Sequence, residues 1–218
     1  MNILNWVKIM KKIFKLINTE FKKNRKIFIF IAILLTLGLI SGSLFITILN
    51  DSDKKMVLET ITNYFNQIKS SKVDFLYSFR TSSISNLLYI IFIWLLGISI
   101  IGIPIIILLL FIKSFILGFS ISSIICKYKI GGIPLSLSYI FPHHILNIIT
   151  ICFVSMYSLK VSLSLVKLIT SKKQINFKVI MRKYLGVLII AVLLSIVSSS
   201  IETFMTPYFI RIFSFIIK

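Results

Sequence analysis

The stretch Ile27–Leu49, IFIFIAILLTLGLISGSLFITIL, carries no charged side chain, and its reading decides the class of the chain. Its 23 residues rise about 35 Å as a helix, which crosses a bilayer core of roughly 30 Å. The 26 residues before it hold eight of the 25 Lys and Arg residues. A basic leader followed by an uncharged run reads as a first span whose N-terminal side stays in the cytoplasm. The leader is long, the run is twice a signal core and no A-x-A site follows, so an uncleaved span is expected rather than a signal peptide.

Working outward, the same reading holds for most of the chain. It is 218 residues long and 57% hydrophobic, with a mean hydropathy of +1.00. Almost everything must therefore be spans and their connections. The net charge of +19 does not imply nucleic acid, because the basic residues flank apolar runs, where they meet anionic headgroups and set orientation. Cys126 and Cys152 are the only cysteines. One pair in apolar surroundings reads as packing, without a disulfide framework or a zinc site.

Residues 1–26 place Trp6, Met10, Ile13 and Ile17 at helical spacing beside Lys8, Lys11, Lys12 and Lys15. This predicts a basic amphipathic helix on an anionic cytoplasmic leaflet, the alternative being a basic tail. After the first span (27–49), the segment 50–83 holds four of the six acidic residues, so it is expected outside. Val57, Ile61, Tyr64, Phe65 and Ile68 predict an amphipathic helix within it, lying on the outer leaflet or holding a partner.

Thr81–Cys126 spans 46 positions with one charge, Lys113. As one helix it would measure about 69 Å, so two spans (84–102 and 104–126) are required, with the hinge at Gly102-Ile103-Pro104. A short outer loop around Gly131-Gly132 leads to a broken fourth span (133–159), interrupted near Pro142 and His143. A cytoplasmic loop (160–183) with seven basic residues and no acid, a fifth span (184–206) and an interfacial tail (207–218) complete the chain. Five crossings put both basic clusters on one side; four would put the second outside, against the positive-inside tendency. The expectation is an all-α polytopic membrane protein with five transmembrane helices.

Few groups suggest chemistry. Gly38 and Gly42 form a GxxxG pair, and Ser114, Gly118, Ser122 and Cys126 make a small-residue stripe. Such faces let helix backbones approach. Contact within the chain is preferred here to contact between copies in a homo-oligomer. Lys113 sits near mid-span, a costly place for a cation and hence a functional candidate, unless it lies near a surface. No acid is assigned to its depth, Glu202 being expected toward the outer face. His143 and His144 would point about 100° apart on a helix, a poor arrangement for one metal ion. No metal, cofactor, nucleophile–base pair or phosphate loop is expected, and no enzyme activity.

The segment Trp94-Leu-Leu-Gly97-Ile-Ser-Ile-Ile-Gly102-Ile-Pro104, then Phe111-Ile-Lys-Ser-Phe-Ile-Leu-Gly-Phe119 and Phe141-Pro142-His143, resembles the stage II sporulation protein M family. A P-H-G element of the wider superfamily is not kept, since His144 stands in place of the glycine. The resemblance implies a membrane scaffold without catalysis in the mother-cell septal membrane. Its implied partners are the membrane-anchored peptidoglycan hydrolases D and P of the engulfment complex. The alternative is a transporter or channel subunit using Lys113 and the break near Pro142 as a polar path.

Overall fold

The computed structural model describes residues 24–70, 74–140, 143–171 and 177–213. Of these, 94% are helical and none is in a strand. Residues 1–23 of the expected surface helix, Pro142 and residues 214–218 of the expected tail lie outside the described residues.

Helix α1 (Arg25–Ile48) is followed by α2 (Asp51–Lys69), whose first turn carries Asp51 and Asp53. Carboxylates there complement the positive end of the helix dipole. Helix α3 (Phe75–Leu96) is capped by Asp74, whose side chain accepts from the Tyr77 amide at 3.0 Å. A tight turn, closed by Gly102 N donating to Ser99 O at 3.2 Å, joins it to α4 (Gly102–Tyr128). Pro104 falls in the first turn of α4, where a missing N–H costs nothing. One 3-10 turn (Lys129–Gly131) leads into the short α5 (Gly132–Ile140). Lys129, at φ 51°, makes the reversal in a backbone region that side chains seldom adopt. Helices α6 (His143–Ser171) and α7 (Phe177–Ile212) complete the fold.

Five helical segments, with α4 and α5 taken as one, are long and apolar enough to cross a membrane. They alternate in direction, which gives the bundle two ends. The α3–α4 turn marks the hinge end, while α2 covers the opposite, capped end. Ile31, Ile90, Ile106, Leu110, Val154 and Met156 are fully buried in the hinge-side core. A second cluster (Phe65, Ile68, Ile124, Leu135 and Ile210) draws α2, α4, α5 and α7 together at the capped end. The C-terminal half of the amphipathic helix expected in 50–83 is therefore packed on its own chain through Phe65 and Ile68, while Met56, Val57 and Ile61 line an apolar groove of about 390 Å³ beside α4 and α5. Arg211 Nε fixes it further by donating to Ile68 O at 3.1 Å.

The helices overrun the apolar runs read from the sequence. Helix α3 begins at Phe75 rather than Ile84, so most of the expected outer loop is helical. Helices α6 and α7 reach from both sides into the expected 160–183 loop. Helix α7 also runs through Pro207 to Ile212, where the tail was expected to start, because Ile210 is buried in the capped-end cluster.

Candidate functional site

Two kinds of interface hold the bundle, one closed backbone to backbone and one lined by polar side chains around a space. Along the α1–α4 seam, a Cβ on Gly38 would collide with the Ser114 side chain and the Phe111 carbonyl. One on Gly42 would meet the Phe115 carbonyl, and one on Gly118 the Leu39 carbonyl. The glycines are what lets the two backbones touch. Ser43 Oγ donates across the seam to Gly118 O at 3.2 Å, and Phe45 lies edge-on to Phe115 and Phe119 at 5.4 and 5.9 Å. Ser122, half-buried, stands one turn beyond Gly118 on the same stripe. This surface is occupied by α1 of the same chain.

At the hinge, Gly97 lies against Ser158 and Tyr184, with no space for a side chain. Tyr184 is fully buried and stacks on Trp94 at 5.1 Å. The tyrosine hydroxyl donates to Trp94 O at 2.7 Å, and Trp94 Nε1 donates back to Tyr184 O at 3.2 Å. Ser162 donates to Ser99 O within the turn. Gly102 is needed there because a Cβ would strike the Leu96 carbonyl. Gly97 and Gly102 thus shape a corner, with Pro104 in the first turn of the helix that follows.

The space lies on the other side of the bundle. A cavity of about 670 Å³ runs from the α2 end down between α3, α4, α6 and α7. Lys113, His143, His144, Asn147, Asn86 and Glu202 all line it. Lys113 Nζ stands 5.2 Å over the Tyr89 ring, a weak cation–π contact, while the Tyr89 hydroxyl donates to Leu109 O at 2.7 Å. Asn147 Nδ2 donates to Asn86 Oδ1 at 2.9 Å, and Asn86 Nδ2 to Ser199 Oγ at 3.2 Å. Ser82 donates to a Glu202 carboxylate oxygen. His143 is buried and tied to α7 twice: Ser198 Oγ donates to its carbonyl at 3.0 Å, and its Nδ1 bonds the Thr206 hydroxyl at 3.0 Å. At the mouth, on α2, stands Tyr64.

Two expectations are corrected. Lys113 shares its cavity with an acid, since Glu202 of α7 lines the same space. The two histidine rings also do not diverge: they begin α6 together, with centroids 4.1 Å apart and a 36° tilt. Among the described residues no three His, Cys, Asp or Glu side chains cluster as metal ligands.

The polar lining escaped a reading made span by span, although a signal was present. Ser195, Ser198, Ser199, Glu202, Thr203 and Thr206 recur at intervals of three and four along α7. That is a polar helical face inside an apolar segment. Ser78, Ser82 and Asn86 repeat the pattern on α3.

The family model described as stage II sporulation protein M matches residues 28–207. The chain belongs to this family. Comparison with curated proteins and with solved structures finds no match. Membership supports a sporulation-related membrane protein. The family's matched region takes in the α1–α4 seam, the hinge corner and the polar cavity alike.

Proposed function

We propose that the chain is a non-enzymatic, multi-pass membrane scaffold that assembles and localises septal peptidoglycan hydrolases for forespore engulfment. The observation that carries this reading is the family match across residues 28–207. The hinge end, beside the basic residues Arg25, Lys26, Lys160 and Lys178, faces the mother-cell cytoplasm in this reading. Positive charge is retained on that side, and anionic lipids there bind it. The capped end, with Asp51, Asp53 and Glu59 on α2, then faces the wall. The partners are hydrolases D and P of the engulfment complex, which supply the cleavage chemistry.

The solvent side of α2 is the surface offered to them. A photoreactive residue at Met56, which is 67% exposed, should crosslink to a hydrolase in sporulating cells. Normal hydrolase localisation in cells lacking the chain, with no crosslink from α2, would remove the scaffold reading.

The polar cavity favours a second reading, a solute path. Toward the hinge, however, fully buried Ile90, Ile106, Leu110 and Val154 fill the bundle. That closure suits a binding cavity better than a conduit. Proteoliposomes should show no flux of small ions or amino acids above that of empty vesicles.

A further inference from the structure

Lys113 lines three adjoining spaces. One is the polar cavity already described. The second is a cavity of about 80 Å³ bounded also by His144, Asn147 and Ile148. The third is an apolar cleft of about 200 Å³ between α1, α4 and α6, lined by Leu35, Leu39, Ile40, Leu117 and Ile151. The cleft reaches the side of the bundle through Thr36 and Ile40, both exposed, on a helix whose outer face also exposes Ile33, Leu37 and Leu44. In a bilayer that face meets lipid chains.

The charges are arranged in sequence along this route. Lys113 stands where cleft and cavity join, while Glu202 belongs to the polar cavity alone. Among the described residues no ion pair within 4.0 Å joins the two, so each charge remains available across the space between them. Asp74 also lines the cavity, giving two carboxylates to one ammonium. A simple anion would meet net repulsion there, whereas a ligand carrying both charges finds each answered. His144 Nε2 is buried with no hydrogen-bond partner. Its ring lines both polar spaces beside Lys113, so a phosphate oxygen at that point would satisfy it.

Read from the side of the bundle inward, the order is apolar, cationic, anionic. A zwitterionic phospholipid presents the complementary order: acyl chain, phosphate, ammonium. We propose that cleft and cavity together bind one aminophospholipid, with an acyl chain between α1, α4 and α6, the phosphate at Lys113 and the ammonium at Glu202. Asn86 and Ser82 hold the carboxylate side of this site in place through their hydrogen bonds. The site is independent of the scaffold reading, since it concerns the interior of the bundle and no partner protein.

The test uses the full chain in detergent and native mass spectrometry, with phosphatidylethanolamine, phosphatidylglycerol of the same acyl chains, or phosphoethanolamine alone. One phosphatidylethanolamine per chain should be retained, at least about tenfold more tightly than phosphatidylglycerol, because charge-assisted contacts of this kind carry that much discrimination. Glu202→Gln should abolish the preference between the lipids, and Lys113→Gln should weaken both. Equal or reversed preference in the unaltered chain overturns the proposal, as does phosphoethanolamine competing as well as the whole lipid. Should either variant fail to fold, phosphatidylethanolamine with a photoreactive headgroup decides the matter in the unaltered chain. Crosslinks at Tyr139, within 143–147 or within 199–207 support the site, and crosslinks confined to other segments overturn it.

Discussion

The α1–α4 seam and the α3–α6–α7 face are both rich in small and polar residues, yet they use them in opposite ways. In the seam, Gly38, Gly42 and Gly118 remove side chains so that backbone meets backbone at those three points. On the other face, Ser82, Asn86, Asn147 and Ser199 keep their side chains and bond them to one another around a space. Small residues in a membrane helix therefore do not by themselves announce close packing. Glycine on both partners does so, whereas a repeat of Ser, Thr and Asn can mark a lined cavity.

The sharpest way to break this contrast is Gly118→Leu. A branched side chain driven into the Leu39 backbone should cost about 3 kcal/mol or more, beyond ordinary overpacking because the obstacle is backbone. The loss would be read as folded yield and thermal midpoint in detergent. A variant that folded with its midpoint unchanged would show that the seam is not closed as described.

Asn86→Ala tests the second interface. It removes the group linking α3 to α6 and α7, and should destabilise by about 1–2 kcal/mol, less than the seam variant, because intramembrane hydrogen bonds are individually modest. Chemical unfolding in mixed micelles would measure it. A loss matching that of Gly118→Leu would erase the distinction between the two regions.

Gly186→Ala gives the smallest effect. Nothing lies within 4 Å of where its Cβ would stand, so the change should fall within about 0.5 kcal/mol of zero. It separates glycine at an interface from glycine merely in a helix. A large loss would mean that α7 has a contact not seen here.

The fold was legible because hydrocarbon length and apolar runs are read along one segment at a time. Ile27–Leu49 alone implied a span, and the need for a turn within Thr81–Cys126 followed from length, although it falls at 97–101 and leaves Gly102 and Pro104 in the first turn of α4. The seam was legible too, since a four-residue repeat such as Ser114, Gly118 and Ser122 is local. The cavity is not local. Asn86 and Asn147 are 61 positions apart, and Ser82 and Glu202 are 120 apart. No periodicity connects them, so only the packed arrangement of α3, α6 and α7 reveals which polar faces meet. That Glu202 and Lys113 line one space went unread for the same reason, since it depends on how α4 and α7 pack.

The corner between α3 and α4 has a consequence for biogenesis. Besides its own backbone bonds, the corner is braced by Ser158, Ser162 and Tyr184, which the ribosome adds long after Trp94 and Ser99. During synthesis the α3–α4 hairpin is therefore held by its local turn bonds alone. Only when α6 and α7 arrive are the side-chain braces added, so the latest segments to be made complete one of the earliest bends.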